Sequence, residues 1–391
     1  AAIAMAAGAT AAQAQSFTSS GLPSSGLSNP TSLQFGPDDR LYVAEQDGDI
    51  KVFTLQRSAP GSYSIAATEP ITAIKSGTPN HNDDGGMCDA SPCAGGQCTR
   101  SCSTRQVTGL LVTGTASNPV LYVTSSDSGY SVSYDSGLDT NSGVITRMTC
   151  SGGVSAGQCQ HWDRVDIVRG LPRSEENHST NGLALDTATN TLYVASGGNT
   201  NKGAPSNNFA SLAEYYLAGA VLAVDLDAIA AIEAANGGPF TDLRSGQQFV
   251  YDLVTLDDPT RANIDNSHPA FPYEPGHPRY GLQIDPGDPF GGNDGLNQAI
   301  PEPGGPVQVH SPGYRNPYDV LFTEGGELYT WDNGPNDGWG GTPLIFTSAG
   351  VPKGYIGQSG VSYNPGAGDY CTDDTNEQGS GTEGDTLVHI T

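Results

Sequence analysis

The feature that most restricts this chain is a unit of short strands that restarts four times along its 391 residues. Each unit opens with a loop marked by Gly or Pro, enters a short apolar strand, turns at Asp, Asn or Gly, and returns through a strand of the Leu-Tyr-Val type. It reads NPTSLQFGPDDRLYVAEQDGDIKVF at 29–53 and QVTGLLVTGTASNPVLYVTSSD at 106–127, the latter followed by GVITRM at 143–148. It returns as HSTNGLALDTATNTLYVASGG at 178–198 with GAVLAVDL at 219–226, and as YRNPYDVLFTEGGELYTWDNGP at 314–335. Short strands joined by such turns are hairpin signals, and hairpin units repeated at intervals of tens of residues mark a β-propeller, one unit per blade. A β-sandwich would share the strand lengths but not the restart of every unit with a loop, an inner strand and a Leu-Tyr-Val strand. The 52 Gly and 27 Pro destabilise helix interiors and remove a helical bundle from consideration. An all-β propeller with long loop insertions and few short helices is expected.

Charge narrows the partners. The net charge is −26, from 42 Asp and Glu against 16 Lys and Arg. Contact with a nucleic-acid backbone needs clustered Lys and Arg, so that class is excluded. Four lysines offer little to an anionic membrane surface, and no stretch approaches the roughly 18 apolar residues of a membrane span. Residues 1–15, AAIAMAAGATAAQAQ, read as the apolar core and A-x-A cleavage site of a secretory signal that lacks its basic start; a frayed Ala-rich terminus would look the same. Seven cysteines suit such a destination. Cys88, Cys93, Cys98 and Cys102 crowd a Gly/Ser/Pro-rich loop with a spacing that fits neither a zinc ribbon nor common ferredoxin runs, so they read as disulfide staples. Cys150 and Cys159 bracket a Gly-rich turn and are expected to pair, with Cys371 left over. The protein is expected to be secreted or periplasmic, with residues 16–391 forming the propeller.

Long insertions separate the units, near 80–104, 200–217, 228–309 and 336–382. A short helix is expected around Leu212–Leu217 and another in AIAAIEAAN from 228, and GDTLVHIT at 384–391 reads as the outer strand of the fourth unit. Polar residues collect where inner strands begin or end. Asn177-His178-Ser179 opens the third unit, and a histidine there can serve as a general base near neutral pH or simply bond to loop backbone. Tyr314-Arg315-Asn316-Pro317 opens the fourth, where Arg and Asn together can clamp a carboxylate or stabilise an oxyanion, or satisfy loop carbonyls. Asp332-Asn333-Gly334-Pro335-Asn336-Asp337 offers carbonyls, carboxylates and amides, the hard oxygen donors that Ca²⁺ prefers, in what is otherwise a plain turn. The acidic loop 285–298 adds Asp285, Asp288 and Asp294 as irregular Ca²⁺ candidates, without the twelfth-position Glu of an EF-hand. No Walker, G-x-S-x-G or H-E-x-x-H motif is present.

In their order along the chain, NPTSLQFGPDDRLYVAEQDGDIKVF, RQVTGLLV, NHSTNGLALD, GYRNPYDVLF, LYTWDNGPN and GDTLVHI resemble the soluble quinoprotein sugar dehydrogenases. This is the glucose/sorbosone dehydrogenase family of six-bladed propellers, which uses pyrroloquinoline quinone (PQQ) and Ca²⁺. The resemblance implies that His178 is the base that takes the proton of the sugar C1 hydroxyl while hydride passes to the quinone. It implies that Arg315 and Asn316 contact the quinone oxygens, that the carbonyls of Gly334 and Pro335 bind Ca²⁺, and that Gln106 lines the site. Asn333 stands where the family commonly has Gln, and Glu383 and Asp385 fall near a second calcium site. The family holds the PQQ carboxylates with a Lys and two Arg from its last blades, which this sequence does not reach; about four of six blades are expected here. Two functions follow from the sequence: an exported sugar dehydrogenase passing electrons to an external acceptor, or a non-catalytic extracellular propeller that binds carbohydrate or a protein partner.

Overall fold

Each sequence unit folds as an antiparallel blade because its turn residues allow the chain to reverse at once. The computed structural model describes residues 19, 21–81, 88, 102–129, 139–201, 203–209, 212–242, 245–256, 284–285, 298–336, 339–341, 344–349, 351–355, 358–371 and 385–391. Between the first two strands of a unit, one residue takes the left-handed conformation: Asp39 (φ 59°), Gly114 (φ 83°), Asn190 (φ 52°) and Gly326 (φ 84°). Gly, Asn and Asp are the residue types that adopt it most readily. The Asp, Asn and Gly turn signals of the sequence therefore have a conformational cause.

Four blades result, each a sheet whose strands follow chain order from the hub outward. The first holds Pro30–Phe35, Leu41–Glu45, Ile50–Ala59 and Ser62–Ile71, and the second Arg105–Gly114, Pro119–Asp127, Gly143–Ser155 and Gln158–Leu171. The third holds Thr180–Asp186, Thr191–Ser196, Ala220–Asp225 and Val307–Pro312, and the fourth Pro317–Phe322, Leu328–Asp332 and Thr386–Ile390. This is the propeller architecture expected from the repeats. The terminal GDTLVHIT segment joins the fourth blade as its edge strand, pairing Thr386 with Asp332 and Ile390 with Leu328.

The apolar core lies between blades. One buried cluster, with Tyr42, Ile50, Val52, Val107, Leu121 and Met148, joins the first and second blades. Another, with Ile145, Val168, Leu183, Leu192, Val194 and Leu222, joins the second and third, and a smaller one, with Ala184, Val221, Val320 and Ile390, joins the third and fourth. Each fully buried aliphatic side chain contributes about 1.5–3 kcal/mol, so these interfaces carry most of the stability. On the first blade Leu33 and Phe35 are exposed, as are Leu321, Trp331 and Leu387 on the fourth.

Side chains clasp successive inner strands at the hub. Gln34 Nε2 donates to Val112 O (3.2 Å) and its Oε1 accepts from Val112 N (2.7 Å). Thr108 donates to Thr180 O (2.7 Å), and Asn181 Nδ2 donates to Pro317 O (2.9 Å). The strands approach so closely that a β-carbon on Gly109 would lie 2.2 Å from Asn181 O, and one on Gly182 2.1 Å from Asp319 Oδ1.

The insertions differ in detail from expectation. The 228–309 segment ends sooner, because Val307–Pro312 is the outer strand of the third blade, paired with Ala220–Asp225. Within it, helix Leu226–Ala235 starts where Asp225 caps Ala228 N (2.9 Å). Gln248–Asp252 then runs parallel to Gln158–Leu171 and widens the second blade. Buried Arg169 secures that addition through Asp252 (2.7 Å) and Asp242 (2.8 Å). No helix forms at 212–217; a single 3₁₀ turn, Asn207–Phe209, precedes it. Glu214 instead takes hydrogen bonds from Asn199 N (2.6 Å) and Thr200 Oγ1 (2.7 Å), which pull this segment across the loop. Inside 336–382, Leu344–Phe346 pairs with Pro352–Tyr355 and Tyr370–Cys371.

Cys150 and Cys159 form the expected disulfide, and Cys88 bonds Cys102 at the base of the first insertion. Cys93, Cys98 and residues 1–15 lie outside the described residues. No helix among the described residues is long and apolar enough to cross a membrane.

Candidate functional site

The site is built where loops lead into the inner strands of the third and fourth blades. His178 stands two residues before Thr180–Asp186, in a loop closed by Ser174 N to His178 O (2.9 Å) and His178 N to Ser174 Oγ (2.9 Å). Its ring is buried at 2% exposure, with the Phe209 ring 5.1 Å away. Nδ1 lies 2.8 Å from Gly198 O. A carbonyl only accepts, so Nδ1 carries the proton and Nε2 keeps its lone pair. Burial, and then the charges of Arg315 and Arg173, push the imidazole pKa down to about 3 against the weaker pull of the Gly198 bond. The ring is held neutral, with its tautomer set.

Arg315 and Asn316 approach from the fourth blade. Their backbone N–H groups both donate to Asp332, at 3.2 and 2.8 Å, so one carboxylate sets the loop. Burial raises the Asp332 pKa, against these two hydrogen bonds and Arg315. Arg315 Nε donates to Asn201 Oδ1 (2.8 Å) and Nη1 to Asn333 Oδ1 (3.3 Å). Asn316 Oδ1 accepts from Asn181 Nδ2 (3.0 Å), which commits the amide oxygen and leaves Nδ2 without a partner among the described residues. Gly197 and Gly198 lie between the two loops. A β-carbon on Gly197 would sit 2.6 Å from both His178 Cβ and Asn316 Oδ1, and Gly198 N donates to Arg315 O (2.7 Å). Only glycine permits so close an approach.

The structure thus brings His178, Arg315 and Asn316 together, and Asn333 with them through Arg315. Gly334 and Pro335 follow directly; Gly334 N donates to Asp385 Oδ1 (3.3 Å), and Pro335 shares with Arg315, Asp332 and Glu214 the wall of a cavity of about 540 Å³. Gln106 Oε1 accepts from Arg173 Nη2 (3.2 Å) and lines a second cavity of about 410 Å³ with Asn177, Ser179 and Asn316. The backbone of Asp285 pairs with Thr255 in a two-residue strand of the long insertion. Asp288, Asp294 and Glu383 lie outside the described residues. Among the described residues one carboxylate trio, Glu45, Asp47 and Asp49, is close enough to share a cation, and Lys51 and Lys75 already pair with it.

Three members of the site are not marked by the sequence motifs, and a fourth, Asp332, is marked only as an oxygen donor for Ca²⁺. Asp332 instead fixes the Arg315 loop, Asn201 orients the guanidinium, and buried Arg173 links Gln106 to the imidazole loop. Glu176 Oε2 lies 3.9 Å from His178 Nε2. Arg173 and Glu176 lie in the polar run RSEEN at 173–177, which reads equally well as a solvated loop.

No protein-family model and no curated protein matches this chain. Among solved structures it is similar to the iodide structure of the Trichoderma reesei enzyme of Carbohydrate-Active Enzymes family AA12, at 14% identity and TM-score 0.35 over 87% of this chain. The chain spans 55% of that protein's length. The calcium structure from the same family and organism gives 17% identity and TM-score 0.33, over 91% of this chain and 86% of that one. The PQQ-bound form of the aldose sugar dehydrogenase from Streptomyces coelicolor gives 16% identity and TM-score 0.28, over 93% and 94%. The architecture itself is established by the blade pairings and inter-blade cores described above.

Proposed function

We propose that this chain is part of an exported quinoprotein that oxidises the C1 hydroxyl of an aldose by hydride transfer, with PQQ and Ca²⁺ as cofactors. The observation that carries the reading is the meeting of a neutral, tautomer-locked imidazole with a guanidinium and a cavity-lining amide across Gly197 and Gly198. The two disulfides among the described residues suit an oxidising compartment.

The residues present fit the proposed cofactors at the reacting end. Arg315 Nη2 has no hydrogen-bond partner among the described residues, and its guanidinium lines the larger cavity. The amide of its neighbour Asn316, which lines the second cavity, is the other donor proposed for the oxygens of an electron-accepting ring. Gly334 and Pro335 offer carbonyl oxygens of the hard type Ca²⁺ takes, with Asp385 beside them. Lys353 is not available to a cofactor carboxylate, being paired with Asp369 and Ser362 O (2.7 Å). When bound, PQQ supplies the hydride acceptor and Ca²⁺ its Lewis acid.

The chain's own residues do the rest. His178 accepts the hydroxyl proton at Nε2, while the Gly198 carbonyl holds the ring in orientation. Phe209 packs on the imidazole ring, and Trp339 packs in turn on Phe209 with ring centroids 6.3 Å apart, which holds the imidazole in place. Arg315 and Asn316 stabilise negative charge that develops opposite the sugar.

The test adds PQQ and Ca²⁺ to the purified protein and follows dye reduction with a panel of aldoses. Quinone uptake with sugar-dependent reduction is expected. Uptake of neither cofactor, with no reduction of dye, overturns the reading in favour of a binding propeller for carbohydrate or a protein partner.

A further inference from the structure

A proton taken by His178 needs an exit, and the hydrogen bonds of the ring restrict where it goes. Nδ1–H is committed to Gly198 O, so a proton arriving at Nε2 must also leave from Nε2. We propose, resting on the dehydrogenase reading above, that Glu176 is the terminal proton acceptor of the site and relays the substrate's hydroxyl proton from His178 to solvent.

The geometry carries this. Glu176 Oε2 and His178 Nε2 are 3.9 Å apart, too far for a direct bond, yet one oxygen atom can lie at hydrogen-bond distance from both. The substrate hydroxyl occupies that bridging position first, and a water takes it after the product leaves. In the first step the substrate O–H bond breaks and an Nε2–H bond forms. In the second, Nε2–H breaks and Oε2–H forms through the bridging water; the carboxyl then exchanges with solvent. Neither proton step consumes or releases electrons. The outlet is structural: the Glu176 side chain is 13% exposed, against 2% for His178.

The charges around the pair agree with the direction. Glu176 faces His178 on its own loop, Arg173 two residues before that loop's histidine-side turn, and Arg315 from the fourth blade, with Asp332 and Asp385 beyond Arg315. The backbone N–H of Asn177 also donates to its carboxyl. Burial outweighs the two guanidinium groups and raises the Glu176 pKa above 4.5, whereas the imidazole is pushed down to about 3. A proton shared by the pair therefore rests on the carboxyl.

Two measurements test the relay. In ¹⁵N NMR of labelled imidazole, the His178 Nε2 resonance is expected to shift with a midpoint above 4.5 that belongs to Glu176 and vanishes in Glu176→Gln. In dye-reduction kinetics, wild-type kcat falls as pH drops through that midpoint, because the acceptor must be a carboxylate. Glu176→Gln lowers kcat by about 100-fold with KM unchanged and removes this acid limb; Glu176→Asp keeps the limb with an intermediate rate. An Nε2 titration identical in wild type and Glu176→Gln overturns the proposal. So does an active wild type matched by Glu176→Gln in kcat and acid limb, which leaves the dehydrogenase reading standing. A wild type that oxidises no aldose overturns that reading, and the relay with it.

Discussion

The two halves of the candidate site are held in opposite ways. On the imidazole side, His178 is buried, bonded through both its backbone N–H and Nδ1, and pressed against Gly197. On the carbonyl side, Asn333 is exposed, Gly334 and Pro335 are half-buried, and Gly334 has one bond, to exposed Asp385. The difference teaches which chemistry the fold prepares in advance. A proton acceptor must be placed within about half an ångström, so inter-blade packing fixes it. A cation can supply its own ordering energy on binding, so its loop can stay open.

The strongest way to break this contrast is His178→Gln. Turnover is expected to fall by about 10²–10⁴-fold while PQQ uptake persists, since the proposed role of the imidazole is that of base and not of cofactor anchor. Wild-type rates in that variant would move the base elsewhere. The same residue gives a stability signature. Its pKa is about 3 folded and 6.5 when free, so between those values the unfolded chain binds more protons than the folded one. Stability at this site is complete above 6.5 and declines as pH falls towards 3, by on the order of a few kcal/mol. His178→Gln should flatten that slope in denaturant titrations; an unchanged slope would mean the ring is not held neutral.

Gly197→Ala sharpens the comparison by displacing His178 and Asn316 together. A drop of about 100-fold in kcat is expected from a shift of about 1 Å. Calorimetry on Asn181→Ala should show a loss of about 1–3 kcal/mol, since Pro317 O and Asn316 Oδ1 lose their donor at a buried blade junction. The smallest effect on stability is expected on the open side. Chelating Ca²⁺ should abolish quinone uptake yet move the apoprotein's unfolding midpoint little, and a large shift there would show that the carbonyl loop is part of the folded framework.

The fold was readable largely because its signals are local. Asp39, Asn190 and Gly326 announce left-handed turns, and Leu41-Tyr42-Val43 announces a strand buried on both faces. The helix expected at 212–217 failed because Glu214 bonds to Asn199 and Thr200, partners that no local pattern shows. The outer strand of the third blade was absorbed into a loop assignment because Val307–Pro312 meets its partner only after the long excursion that begins at Leu226. Within the site, His178, Arg315 and Asn316 stood out by residue type and by place at a strand start. Glu176 and Arg173 did not, since a carboxylate or guanidinium in a polar loop looks the same whether it faces water or a buried imidazole.

Turn chemistry and apolar strand spacing, both set by neighbours a few positions apart, determined on their own that this chain forms blades and where each begins. Tertiary structure alone decided which loops meet. Asn181 and Pro317, or Gly198 and Arg315, touch only because inner strands pack side by side around a hub. That packing also removes water from His178, commits its Nδ1 and brings Glu176 to its open face. Desolvation and hydrogen-bond direction are properties of the assembled site, and they leave an ordinary histidine as a neutral imidazole whose Nε2 lone pair is uncommitted.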